Sequence, residues 1–106
     1  MRKIAIALPL VEIKKFCEKW KVRELALFGS VLRDDFDPKR SDVDILYVFE
    51  PDAKWGWEIV EMKEELEKIF GRQVDLVSKI AIEKSRNPYR KKSILDSYEV
   101  VYGKAA

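Results

Sequence analysis

The sequence predicts an α+β domain, a small mixed sheet of about four strands with helices packed on it, built by residues 1–106 as one unit. Three observations predict it. A chain of 106 residues can bury one hydrophobic core but not two. Two longer segments repeat apolar residues at helical spacing, and four short, nearly continuous apolar runs alternate with them. Gly, Pro and Asn punctuate the borders, and no linker, internal repeat or low-complexity tract interrupts the pattern.

Each element follows in order. From Pro9 to Trp20, the residues Leu10, Ile13, Phe16, Cys17 and Trp20 fall on one helical face and Lys14, Lys15, Glu18 and Lys19 on the other. Glu24 to Phe28 (ELALF) reads as a buried strand ended by Gly29-Ser30, with Ser30 placed to cap a short helix through about Arg33. DDFDPKR is a charged loop around Pro38. DVDILYVFE, from Asp42, is the second strand, stopped by Pro51. Trp55, Ile59, Met62, Leu66 and Ile69 then step by four and three along a long helix that ends at Gly71, with Glu64 and Lys68 paired on its wet side. Gln73 to Ser78 is a third strand. Asn87-Pro88 opens a helix to about Asp96, and Tyr98 to Tyr102 closes the sheet.

Composition narrows the function classes. The net charge of +2 says little about partners, although Lys79 onward carries seven basic and three acidic residues. Absence of His excludes the usual zinc sites and His-dependent base chemistry. A single cysteine, Cys17, cannot form an internal disulfide and suits a reducing compartment as a small buried apolar group. The start, MRKIAIALPL, has two basic residues before an apolar run but passes into an amphipathic helix without a small-residue cleavage site, so it reads as mature sequence. No segment approaches the ~20 apolar residues of a membrane span. A cytoplasmic location is expected. Abundant Lys and Glu with almost no Asn or Gln is a bias of proteins from hot environments.

The chemistry is concentrated in FGSVLRDDFDPKRSDVD. Residues i and i+2 of a strand share a face about 6.6 Å apart, so Asp42 and Asp44 project together with Leu46 and Val48. Two neighbouring carboxylates in a half-buried strand repel each other and need a compensating cation or donors. Asp75, between Val74 and Leu76, is another acid in an apolar run, and three carboxylates converge if its strand lies beside the second one. Mg²⁺ binds few carboxylates directly and completes its octahedron with water and phosphate oxygens. Gly29 leaves room for a phosphate, and Ser30 offers a hydroxyl and an N–H at a helix start. A phosphate cradle beside a metal-binding acid pair is what nucleotidyl transfer requires.

With these residues the chain resembles the DNA polymerase β-like nucleotidyltransferase superfamily. Within it, LFGSVLRDDF and SDVDILYVF are similar to the minimal nucleotidyltransferase (MNT) proteins, over roughly Val22 to Tyr102. Eleven residues, Val31 to Ser41, separate Gly29-Ser30 from Asp42 where that family usually has ten; the extra one belongs in the loop around Pro38. The resemblance implies a nucleotidyltransferase-like fold. It also implies that Gly29, Ser30 and Arg33 hold the triphosphate, that Asp42, Asp44 and Asp75 ligate two Mg²⁺ ions, and that Asp75 takes the proton of the attacking hydroxyl. The reaction would move a nucleoside monophosphate, AMP from ATP, and release pyrophosphate. Members of this group often pair with a helical HEPN-domain protein as antitoxin and toxin, and can silence that partner by adding AMP to a tyrosine.

Other readings stand beside these. Asp42 and Asp44 alone also fit an exposed strand end, and Ser30 a plain helix cap. Arg33 fits a surface helix residue as well as a phosphate contact, and Asp34, Asp35 and Asp37 a solvated loop. Trp55 belongs in the core, whereas Trp57 can stay exposed and serve an interface. RNPYRKK, Arg86 to Lys92, is a wet helix face; with Tyr89 its lone aromatic it makes a poor stacking platform for nucleic acid. Three functions therefore compete: a transferase acting on a partner protein, a silent antitoxin that works by occlusion, and a transferase acting on a small molecule or RNA. A homodimer or a heteromeric complex is compatible with all three.

Overall fold

The computed structural model describes residues 8–32 and 42–103. Helix α1 spans Leu10–Lys19, strand β1 Val22–Phe28, and a 3₁₀ turn Gly29–Leu32. Strand β2 (Val43–Phe49), helix α2 (Glu58–Phe70) and strand β3 (Val74–Ser78) follow. Helices α3 (Lys79–Glu83) and α4 (Pro88–Leu95) lead to strand β4 (Glu99–Gly103). The sheet order is β3-β2-β1-β4; β1 is antiparallel to β2 and to β4, and β2 is parallel to β3. The α+β architecture with a four-stranded mixed sheet is the one the sequence predicts. Helix α3 is an addition: Ser78 ends β3 and caps the turn, its hydroxyl accepting from the Ala81 N–H at 3.2 Å.

Alternation along the strands divides the residues between two faces. Leu25, Leu27, Val43, Ile45 and Val74 point to α1 and α2, where Ile13, Phe16, Cys17, Met62, Leu66 and Phe70 complete the main core. Ala26, Phe28 and Leu46 point the other way and meet Ile82 of α3 and Ile94 of α4. Local chemistry fixes the borders. Gly71 adopts φ 69° and its N–H donates to the Glu67 carbonyl at 2.8 Å, closing α2. The Asn87 side chain accepts from the N–H groups of Tyr89 and Arg90, with Pro88 at the first position of α4. Trp55 precedes α2 rather than opening it; its indole N–H donates to the Trp20 carbonyl at 2.8 Å, and the two rings meet edge to face at 5.3 Å. Cys17 is buried and Trp57 is 91% exposed, both as expected. No helix among the described residues is long and apolar enough to cross a membrane.

Candidate active site

The acids lie on the α3/α4 face. In the β1–β2 register Phe28 opposes Asp44, and in the parallel β2–β3 register Asp44 opposes Asp75. Asp44 follows Val43, which faces the main core, so it shares the opposite face with Leu46. Asp75, between the core residue Val74 and Leu76, takes that same face beside it. Asp42 is exposed and immediately precedes β2, which begins at Val43. β3 does lie beside β2, and Asp44 and Asp75 stand side by side where the two strands begin, with Asp42 just ahead of β2; the three do not gather into a single ligand group.

Gly29 closes the site from the β1 side. It follows the last residue of β1 at φ 78°, a left-handed conformation that favours glycine. A Cβ built there would sit 3.3 Å from Asp44 Cγ and 3.6 Å from its Cβ, and would collide with Oδ2. The missing side chain is thus the space that the Asp44 carboxylate fills. The sequence pattern accounts for Gly29 as a strand end and as room for a phosphate but not for this further demand, for which a glycine at a strand end is the signal. The 3₁₀ turn starts at Gly29, one residue before the expected cap, so Ser30 is its second residue. The Ser30 side chain lies outside the described atoms. Arg33, the acids Asp34, Asp35 and Asp37, and the loop around Pro38 lie outside the described residues. Pairing of β1 with β2 nonetheless runs without a shift from Glu24 to Phe28, so the eleven-residue gap leaves the strand register intact.

The donor set fits Mg²⁺. Among the described residues no group of three or more acidic or thiol side chains is gathered closely enough to hold an ion alone. A pair of adjacent carboxylates with an open side is the partial shell that Mg²⁺ fills with water and substrate phosphates. Asp44 is half-buried and Asp75 exposed, which leaves that side reachable from solvent. At the other end of β3 from Asp75, Lys79 opens α3: its Nζ donates to Glu24 Oε2 of β1 at 2.8 Å and stands 4.7 Å from the centre of the Tyr98 ring, just ahead of β4. Burial, the largest single influence, pulls the Lys79 pKa down, but Glu24 and Tyr98 together raise it above the ordinary lysine value. A groove lined by Phe16, Lys19, Glu65 and Ile69 runs between α1 and α2, on the other side of the sheet.

Residues 12–101 match the family described as nucleotidyltransferase domain. A candidate protein adenylyltransferase of Methanocaldococcus jannaschii is 44% identical over 78 residues, which cover 73% of this chain and 74% of that protein. Solved structures share the fold. A toxin–antitoxin complex with AMP-PNP superposes with a TM-score of 0.65 at 21% identity, over 92% of this chain and 75% of that one. A complex of a tri-AMPylated HEPN toxin with MNT antitoxin from Shewanella oneidensis gives 0.58 at 21% identity, over 90% and 70%.

Proposed function

This chain belongs to the nucleotidyltransferase domain family, and we propose that it moves AMP from ATP, with Mg²⁺, onto a hydroxyl of a partner protein. The partner is a helical HEPN-type toxin for which this chain is the cytoplasmic MNT antitoxin. One observation carries the reading: the Asp44 carboxylate fills the space of the absent Gly29 side chain while Asp44 stands in register with Asp75 on the same open face. The kind of relative it matches supports the protein acceptor, since the Methanocaldococcus jannaschii protein is named for protein adenylylation.

The residues divide the work. Gly29 and the N–H groups of the turn it opens receive the phosphates, where unpaired donors favour anions; Ser30 and Arg33 extend that seat. Asp42, Asp44 and Asp75 would hold two Mg²⁺ ions, which when bound neutralise phosphate charge and bring the attacking and leaving oxygens into line. Asp75, the more exposed member of the register pair, accepts the proton of the acceptor hydroxyl. The hydroxyl oxygen forms a bond to the α-phosphorus, the bond from that phosphorus to the bridging oxygen breaks, and pyrophosphate leaves with the electron pair.

The test is transfer of label from α-³²P-ATP, with Mg²⁺, to the co-expressed partner protein. Label on the partner is expected, reduced about a hundredfold or more in Asp44→Asn. A complex that forms normally and carries no label would replace transfer with occlusion, and label on added RNA or a small molecule would replace the acceptor class.

A further inference from the structure

Helix α4 is poorly covered for an element of so small a domain. Ile94 is its one buried residue and Leu95 is half-buried, whereas Tyr89 is 86% exposed. At 100° per residue Tyr89 and Ser93 share the outward line, with Arg90 on one flank and Lys92 on the other. Arg86 stands just before the cap. Lys92 pairs with Asp96 at 3.6 Å, but Arg86, Arg90 and Lys91 have no ion-pair partner among the described residues. Arg86 and Arg90, without an ion-pair partner among the described residues and next to an outward aromatic, form a surface that is complementary to acid.

Its position ties it to the site. Ile94 and Leu95 pack in the cluster of Phe28 and Leu46, the same sheet face that carries Asp44 and Asp75. The chain leaving α4 enters β4 at Glu99, opposite Leu27, at the end of β1 where Gly29 and Asp44 meet. Along the helix Arg90 precedes Leu95 by about 7.5 Å. The chain that follows α4 thus returns to the end of the sheet that carries Gly29 and Asp44.

We infer that Arg86 and the Tyr89–Arg90 face of α4 form the docking surface for an acidic segment of the protein acceptor, which they align with the carboxylates. The inference rests on the reading of the chain as a protein-modifying transferase and adds where, and by what charge, the acceptor is recognised. A protein occupant fits better than nucleic acid. The patch is one short helix with one exposed aromatic, and the sequence pI is only about 8.6, too little basic surface and too few stacking groups for a nucleic-acid track.

The experiment is fluorescence anisotropy of the intact protein with a fluorescein-labelled peptide, Asp-Glu-Glu-Tyr-Glu-Glu-Asp. A charge-reversed peptide and a short single-stranded RNA serve as comparisons. Preferential, salt-sensitive binding of the acidic peptide is expected, weakened about tenfold or more in the Arg86→Glu, Arg90→Glu double variant. Both side chains are exposed, so circular dichroism should be unchanged. Equal binding by unaltered and variant proteins, no preference for the acidic peptide, or tighter binding of RNA overturns the inference. Peptide binding needs no turnover, so it can hold when AMP transfer fails. Conversely, transfer to the partner can proceed while peptide binding ignores the charge reversal, so the two readings fail separately.

Discussion

Replacing Gly29 with alanine separates two demands at one position. At φ 78° a residue with a Cβ loses about 1–2 kcal/mol relative to glycine. The added Cβ also collides with the Asp44 carboxylate, whose Cγ would be 3.3 Å away. Turning that carboxylate off its rotamer costs a further ~0.5–1.5 kcal/mol. Gly29→Ala should therefore destabilise the fold by roughly 2–3 kcal/mol, out of a total near 5–15 kcal/mol. Truncating Asp44 to alanine removes only the second part, because the atom that remains, Cβ, stands at an ordinary 3.6 Å. Urea denaturation of the unaltered protein, Gly29→Ala, Asp44→Ala and the double variant closes the cycle, with a coupling of about 1 kcal/mol expected. AMP transfer gives an independent readout: Gly29→Ala should lose far more activity than its unfolded fraction accounts for, because the carboxylate has moved. If Gly29→Ala costs the same with Asp44 present or truncated, the carboxylate does not fill the missing side chain's space.

Two further outcomes rest on other contacts. Lys79→Met removes an ion pair whose side chains are 16% and 26% exposed, and should cost roughly 1–3 kcal/mol, between surface and fully buried pairs. Because the folded pKa of Lys79 is raised above 10.5, its contribution is complete below that value and disappears as pH climbs through the folded one. The urea-measured gap between the two proteins should thus hold from neutral pH to about 10 and then narrow; a gap that widens contradicts the sign. Burial, with the Glu18 charge second, pushes the Cys17 thiol up to about 12, which suppresses the reactive thiolate. Ellman's reagent should leave Cys17 untouched in native protein and label it fully in guanidinium; rapid native labelling would mean that α1 opens from the sheet.

Much of this was legible because the signals are local. Helical spacing places Ile13, Phe16 and Cys17 on one face of α1, and the caps at Gly71 and Asn87 are single-residue effects. Asp-x-Asp and Gly-Ser could be read because an acid or a glycine inside an apolar run violates the pattern around it. Helix α3 was not legible. Its residues KIAIE continue the apolar alternation of β3, and only the Ser78 hydroxyl turning back to the Ala81 N–H decides for a helix. Trp55 misled for a related reason: its spacing from Ile59 imitates a helical step, whereas the ring is held by Trp20 ahead of the helix. The Gly29–Asp44 contact joins residues fifteen positions apart and depends on strand pairing, which no local window encodes.

The alignment of Asp44 with Asp75 has a topological origin. Parallel neighbours require a crossover of a dozen or more residues, usually a helix, and here α2 supplies it with 13 residues between β2 and β3. Had β3 returned antiparallel through a short turn, the start of β3 would lie beside the end of β2, and Asp75 would stand near Phe49 instead of Asp44. The packing of α2, through Met62, Leu66 and Phe70, is therefore what holds two acids thirty-one positions apart in one register. The apolar content divides accordingly: among the described residues, fourteen buried ones form the α1/α2 core and five the other. A face closed by so few apolar contacts can keep carboxylates reachable from solvent without the desolvation cost that burial beneath α2 would impose.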